Sequence, residues 1–316
     1  MSTPLLSVVV PVKDEEGAIA SFVARVGAVL DGLDDPAAKA WEILFVDDGS
    51  SDATLAQIHA AHCADNRIVA LSLSRNFGKE AALSAGLDHA RGTAVIPIDV
   101  DLQDPPEVIA DMVRAWRGGS DVVYGVRRDR TSDSFIKRVT AGWYYQAHNA
   151  LSHEKIPEHA GDFRLLDRKV IDVIKAMPER NRFMKGLYAW SGFTQTGVEY
   201  DRTERLIGTT KFRYWKLWTL ALDGITSSST APLRIWSYIG VVVALLSFLY
   251  ALLIIGRTIW WGIETPGYAS LITTVLFLGG LQLISLGVLG EYVGRILVEA
   301  KQRPLYVVRT QIGIES

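Results

Sequence analysis

The chain has 316 residues, more than one average domain needs, and a formal net charge of −2. That balance gives no overall basic field for nucleic acid. The single cysteine, Cys63, excludes an intrachain disulfide and a cysteine-based zinc site, and it fits a reducing compartment.

The opening stretch, MSTPLLSVVVPVKDEE, lacks a basic n-region. Its apolar run is short and β-branched, so it reads as a first strand and not as a secretory signal. Strands are expected at Ser7–Val12, Glu42–Val46, Ile68–Leu73, Ala94–Ile98 and Asp121–Tyr124, with helices between them near Glu15–Leu30, Ala53–Cys63, Lys79–Ala90 and Pro105–Trp116. Apolar strands alternating with helices predict an α/β fold, a mostly parallel sheet with helices on both faces. A less regular part follows, about Thr131 to Tyr200. It is expected to hold an acceptor-side helix over Ser134–Leu151 and a loop around Ala160-Gly161-Asp162-Phe163-Arg164. Phe212–Ile225 mixes Trp215, Leu217 and Trp218 with Arg213 and Lys216, as an amphipathic interfacial helix would; a packed core helix fits part of it equally well.

Two later segments change the class. Ile235–Gly256 and Thr265–Gly290 carry no charged residue, and each is long enough to cross a bilayer. The short stretch Arg257–Glu264 joins them, which makes an antiparallel hairpin. Lys211, Arg213, Lys216 and Arg234 precede the first segment, and Arg295, Lys301, Arg303 and Arg309 follow the second. The positive-inside rule then puts both chain ends in the cytoplasm, with Trp260, Trp261 and Tyr268 at an interfacial aromatic belt. The expected organisation is a soluble domain over 1–210, an interfacial segment over 211–232, a membrane hairpin over 233–294 (spans about 235–257 and 267–290) and a cytoplasmic tail over 295–316. Gly279, Gly280, Gly287 and Gly290 suit close helix approach, in self-association or within the hairpin.

Ligands of open parallel sheets bind beyond the carboxyl ends of the strands. Polar residues collect there: Lys13-Asp14-Glu15, Asp47-Asp48-Gly49-Ser50, Ser74-Arg75-Asn76 and Asp99-Val100-Asp101. Residues i and i+2 of a strand share a face, so Asp99 and Asp101 point their carboxylates into one small volume. Two like charges that close need a cation or a shared proton. A hard divalent ion, Mg²⁺ or Mn²⁺, bridging to phosphate oxygens suits them, with Gln103 on the same parity as a neutral ligand. Asp104, followed by Pro105 and Glu107, reads as the helix cap and leaves the first two aspartates free. Asp47 and Asp48 serve a turn, with Gly49 permitting it and Ser51 or Asp52 capping the next helix. A carboxylate there also suits a base N–H or a ribose hydroxyl. His59, His62 and Cys63 share a helix turn, which reads as a solvated face. No dinucleotide-binding glycine motif, P-loop or nucleophile elbow occurs. The basic residues Arg127, Lys137, Arg138, Arg202, Arg205 and Lys211 precede the membrane segments, and Arg205-Leu-Ile-Gly-Thr-Thr-Lys211 sets two cations about a tight turn at the height of a lipid phosphate.

SVVVPVKDEE, FVDDGSSDAT, SRNFGKEAALSAGLDHA, DVDLQDPPE, AGDFRLLDR and RLIGTTKF occur in that order before the two apolar segments. Together they resemble family-2 glycosyltransferases, within them the polyprenyl-phosphate sugar transferases: bactoprenol glucosyltransferases and, more distantly, dolichol-phosphate mannose synthases. The resemblance spans essentially the whole chain. It implies a GT-A fold and inverting transfer of a sugar from a nucleotide diphosphate, a UDP-sugar by the nearest pattern, to a membrane polyprenyl phosphate. By that pattern Pro11, Glu15, Asp48, Asp99 and Arg127 hold the nucleotide sugar, and Asp99, Asp101 and Gln103 hold the metal. Lys137, Arg138, Arg202, Arg205 and Lys211 bind the lipid phosphate. Asp162 takes the family's catalytic carboxylate position, and Asp101 counts with it as catalytic. A phosphate monoester has a second pKa near about 6, so the acceptor is already charged and Asp162 need not remove a proton. An orienting role suits it better.

Two other functions compete. A processive polysaccharide synthase would carry a Q-x-x-R-W motif, absent here, and two spans are few for a channel. A non-catalytic sugar-nucleotide scaffold would have degenerate aspartates, whereas Asp48, Asp99, Asp101 and Asp162 are all present.

Overall fold

Four apolar, β-branched runs form the centre of one sheet: β1 (Leu6–Val12), β2 (Trp41–Asp47), β3 (Ile68–Leu73) and β4 (Ala94–Pro97). The computed structural model describes residues 5–34, 40–127, 160–180, 182, 184–201, 231–261 and 267–314. β1 pairs in parallel with β2 and β4, and β2 with β3. The crossovers carry α1 (Ile19–Asp31), α2 (Thr54–Ala64) and α3 (Lys79–His89). Val8, Val10, Ile43 and Phe45 join one core with Phe22 of α1 and Ile58 of α2, while Val9, Leu44 and Val46 join the other with Leu83 of α3. Both faces of the pleat are therefore dry, which is why these strands read as unbroken apolar runs. α3 lies so close on β1 that a side chain at Gly86 would collide with Val9.

The sheet continues through β5 (Val122–Arg127), β6 (Ala160–Asp167), β7 (Gln195–Tyr200) and β8 (Val308–Ile312), in the spatial order β7-β5-β6-β4-β1-β2-β3-β8. β6 and β8 run against their neighbours; the other pairings are parallel. The expected α/β sheet, mostly parallel with helices on both faces, is therefore present. Further helices are α4 (Ile109–Arg117), α5 (Arg168–Ala176) and α6 (Met184–Trp190).

Three local expectations need correction. The segment around Ala160–Arg164 is not a loop but the start of β6. Gly161, Asp162 and Arg164 have poor strand propensity, yet β6 fills the slot between β4 and β5, where tertiary pairing outweighs propensity. Its Arg164 is fully buried, with the guanidinium over the rings of Tyr188 (4.9 Å) and Tyr124 (5.9 Å). Asp104 does not cap a helix. A short 3₁₀ turn over Pro106–Val108 leads into α4, Pro105 holds its N-cap position without a side-chain bond, and Asp104 instead accepts a hydrogen bond from the Tyr200 hydroxyl at 2.5 Å. Glu107 of the expected capping pair goes to Arg25, whose Nε and Nη2 donate to it at 3.0 and 3.1 Å. Third, residues 295–314 do not stand apart from the fold as a tail: the last helix runs to Lys301, and β8 pairs with β3 as an edge strand.

That helix, α8 (Tyr268–Lys301), takes up the second uncharged segment from Tyr268 and outruns it at the C-terminal end, while α7 (Ala231–Trp261) contains the first and outruns it at both ends. At 1.5 Å per residue each exceeds a bilayer core of about 30 Å. Among the described residues Ser270–Lys301 is long and apolar enough to cross a membrane, while the apolar stretch of α7, Tyr238–Ile254, is shorter. Leu245, Phe248 and Leu249 of α7 and Leu283, Leu286 and Leu289 of α8 are exposed. Among the described residues nothing lies within 4 Å of a Cβ built at Gly279, Gly280, Gly287 or Gly290. The expected helices at Ser134–Leu151 and Phe212–Ile225 lie outside the described residues.

Candidate active site

β1 to β4 deliver their carboxyl ends to one rim, and the polar residues gather there. After β2, the Asp47 carboxylate accepts from the Ser50 N–H (2.9 Å) and the Ser72 hydroxyl (2.8 Å), which holds a turn. Asp48 turns the other way: its two oxygens accept the N–H groups of Phe77 (2.7 Å) and Gly78 (2.9 Å). Gly49 lets the chain do both. Its φ is +67°, and a Cβ there would stand 2.7 Å from the Arg75 carbonyl carbon and 2.9 Å from the Asn76 nitrogen. No other residue type fits that approach without a backbone shift. In the next segment Asp52, rather than an N-cap side chain, accepts from Thr54 through both its N–H and its hydroxyl.

The turn after β1 is tied to this segment. Asp14, at φ 53°, accepts from the Ser51 N–H at 2.8 Å, and the Glu15 N–H donates to the Thr54 hydroxyl at 2.8 Å. The Ser51 N–H, then the neighbouring Lys13 ammonium, hold the Asp14 carboxyl down to about 2. Pro11 sits half-buried at the same end of β1.

The acidic pair leaves β4 in a turn, because the strand ends at Pro97. Exposure still alternates: Val100 and Leu102 are buried, and Asp99, Asp101 and Gln103 are half-buried. Leu102 in this turn is left-handed (φ 54°). The Gln103 N–H donates to Asp101 at 3.2 Å. Lys79, the first residue of α3, places its ammonium 2.7 Å from Asp99. Composition alone did not single out Lys79. The signal was its place directly after Gly78, whose N–H is held by Asp48, so that the clamped loop delivers the next side chain to Asp99.

The donor set fits a hard divalent ion. Two carboxylates and one amide, partly open to solvent, match the way such ions take one or two carboxylates and fill the rest from phosphate and water. The Lys79 ammonium on Asp99 marks a position where positive charge is accommodated. Among the described residues no cluster of three or more His, Cys, Asp or Glu could hold an ion by itself. That includes the α2 set: the His62 imidazole bonds to the Ile68 carbonyl, and Cys63 is exposed beside His59.

The opposite half of the rim is set by β5 and β6. Arg127 ends β5 in register with Tyr200, the end of β7. β6 runs antiparallel, so its first residues, including Asp162, lie at the rim where β5 ends. The side chains of Arg127 and Asp162, and all of Lys137, Arg138, Arg202, Arg205 and Lys211, lie outside the described residues.

The profile of glycosyl transferase family 2 matches residues 7–175, which hold β1 to β4, the acidic turn and the first residues of β6. The chain belongs to glycosyl transferase family 2. A second profile, the GtrB C-terminal hairpin, matches residues 231–296. The chain is 52% identical over 304 residues to the prophage bactoprenol glucosyl transferase homolog of Escherichia coli K12, covering 96% of this chain and 98% of that protein. It is 52% identical over 306 residues to the bactoprenol glucosyl transferase of Shigella phage SfV, covering 97% and 98%. Among solved structures it is similar in fold to the mannosyltransferase PcManGT of Pyrobaculum calidifontis, solved with GDP-Man and Mn²⁺ (TM-score 0.50, 15% identity, 96% of this chain and 87% of that one). This family-2 chain is thus a glycosyltransferase with a GT-A-like sheet and a membrane-associated hairpin.

Proposed function

We propose that this glycosyltransferase moves a sugar from a nucleotide diphosphate, with UDP as the nucleotide, to a polyprenyl phosphate of the bactoprenol type, with inversion at the anomeric carbon. The full-length likeness to bactoprenol glucosyl transferases supports the acceptor, and the convergence of Asp48, Lys79, Asp99 and Asp101 on one rim supports the donor. That rim is the single observation the reading rests on.

Pro11, Glu15 and Asp48 form the nucleoside end. Asp48 already accepts two N–H groups, and each carboxylate oxygen has a second lone pair for a base or ribose donor. Asp99, Asp101 and Gln103 are the residues that would hold Mg²⁺ or Mn²⁺. Such an ion supplies Lewis-acid stabilisation of the charge that develops on the leaving diphosphate. Lys79 balances Asp99 before the donor arrives and has the reach to turn to a diphosphate oxygen. Arg127 adds a cation from β5.

The attack comes from the side opposite the leaving group, so positioning the lipid phosphate is a large share of the catalysis. Lys137, Arg138, Arg202, Arg205 and Lys211 take that role. Asp162 stands at the rim on β6. From there it orients the acceptor or the sugar hydroxyls; no proton need leave a phosphate that is already ionised. The rate loss of Asp162→Asn is expected to be the same from pH 6 to pH 9. A loss that disappears at high pH would instead mark Asp162 as the base.

The two apolar helices cross the inner membrane as a hairpin, with the catalytic domain and both ends in the cytoplasm. The experiment that tests the reading is a donor screen with undecaprenyl phosphate, read by product mass. A single polyprenyl-phosphate-hexose from a UDP-sugar is expected. Polymer growth would point to a processive synthase, and nucleotide binding without product to a scaffold.

A further inference from the structure

Away from the donor rim, α3 ends beside a cavity of about 470 Å³. Asp88 lies nine residues along α3 from Lys79, roughly 14 Å at the helical rise. The walls come from the end of α5, the segment after it and the residues that follow α8, with Lys175, Arg180 and Arg182 facing Pro304 and Tyr306. The volume falls in the range of ligand sites.

The charge in this cavity is unbalanced. The Lys175 ammonium donates to the Asp88 carbonyl at 2.8 Å. The Arg182 Nη2 donates to the Met177 carbonyl at 3.0 Å and its Nε to the Glu179 carbonyl at 3.3 Å. Neutral carbonyls thus fix two cations in place, and among the described residues the side chains of Lys175, Arg180 and Arg182 form no ion pair with a carboxylate, although the Arg180 backbone N–H meets Glu299. Asp88 is the only acidic residue of the wall, and the Tyr306 hydroxyl donates to it at 2.8 Å. Two cations held against dipoles, with the Arg180 guanidinium beside them, around one occupied carboxylate form an anion receptor that is largely preorganised. The cavity is also joined to the membrane helix. The Arg180 N–H donates to Glu299 at 2.8 Å, and Leu297 and Val298, in the same turn of α8, are exposed. The mouth therefore stands close to where an apolar helix surface gives way to polar residues, near the height of lipid phosphates.

We propose that this cavity is a second anion site that takes a phosphate group, separate from the donor rim. The phosphate belongs either to an anionic lipid headgroup or to a soluble phosphate. This inference does not depend on the sugar-transfer reading.

The full chain in detergent micelles is titrated at constant ionic strength with dioctanoyl phosphatidic acid and, separately, with inorganic phosphate, following the melting temperature by tryptophan fluorescence. The wild type is expected to show a saturable rise with at least one of them. A response to the lipid alone assigns a headgroup, and a response to both assigns phosphate from either source. Lys175→Gln/Arg180→Gln is expected to raise the half-saturating concentration at least tenfold, with nucleotide binding at the donor rim unchanged. If the double variant folds poorly, the exposed Lys175→Gln alone is expected to raise it about threefold. No saturable response in the wild type, or equal titration of wild type and variant, overturns the proposal.

Discussion

At the scale of single residues, the rim proposed to take the donor depends on a backbone approach that only glycine permits. Gly49→Ala forces a left-handed alanine and a Cβ into the backbone of Arg75 and Asn76. The expected loss is about 3 kcal/mol of stability, with donor binding lost alongside, read by denaturant melts and nucleotide titration. Lys79 competes for Asp99, so Lys79→Gln is expected to lower the Mn²⁺ concentration for half-saturation about two- to fivefold, the worth of one partly exposed ion pair. The same variant is expected to raise the KM for the donor, since the phosphate contact proposed for Lys79 is removed. Asp14 supplies a pH dependence. Its folded pKa, about 2, lies below its ordinary value of 3.8, so its stabilising effect is full above about pH 4 and disappears as pH falls toward 2. Melting curves of the wild type and Asp14→Asn are therefore expected to differ at pH 5 and to converge near pH 2.

At the scale of elements, β8 is the least anticipated feature. Its residues, Val308 to Ile312, are short and interrupted by Arg309 and Gln311, so nothing local marks them as part of a sheet that begins at residue 6. Only the open edge of β3 explains them. The strand also braces the donor rim: the Ser74 N–H donates to the Val307 carbonyl, and Arg309 donates to the Ser74 carbonyl. Ending the chain at Gln302 is expected to lower the melting temperature and to expose the Arg75–Lys79 loop to trypsin, while Tyr306→Phe, which removes only the bond to Asp88, costs about 1 kcal/mol. The central strands were legible because burial on both faces demands apolar runs, and the acidic turn because buried and half-buried residues still alternate through it after β4 ends. β6 was not legible, because Gly161, Asp162 and Arg164 follow no strand pattern and their conformation is imposed by neighbours on both sides. Asp104 misled for a related reason. Its partner, Tyr200, is distant in sequence and outcompetes the local cap.

For the whole molecule, one soluble sheet is tied at its edge to a helix built for an apolar surrounding. β8 begins a few residues after α8 ends, so the C-terminal helix and the edge of the sheet are joined through a short connection. An enzyme that passes a sugar from a water-soluble donor to a lipid phosphate needs that link, since the two substrates meet only at the membrane surface. The account rests on two carboxylates handling one cation at the rim. The most direct measurement compares the wild type with Asp99→Ala/Asp101→Ala for Mn²⁺ uptake and for formation of polyprenyl-phosphate-sugar from UDP-glucose. The account predicts loss of Mn²⁺ binding and at least about a thousandfold drop in rate, with the protein still folded. Undiminished turnover and metal uptake in the double variant would contradict it.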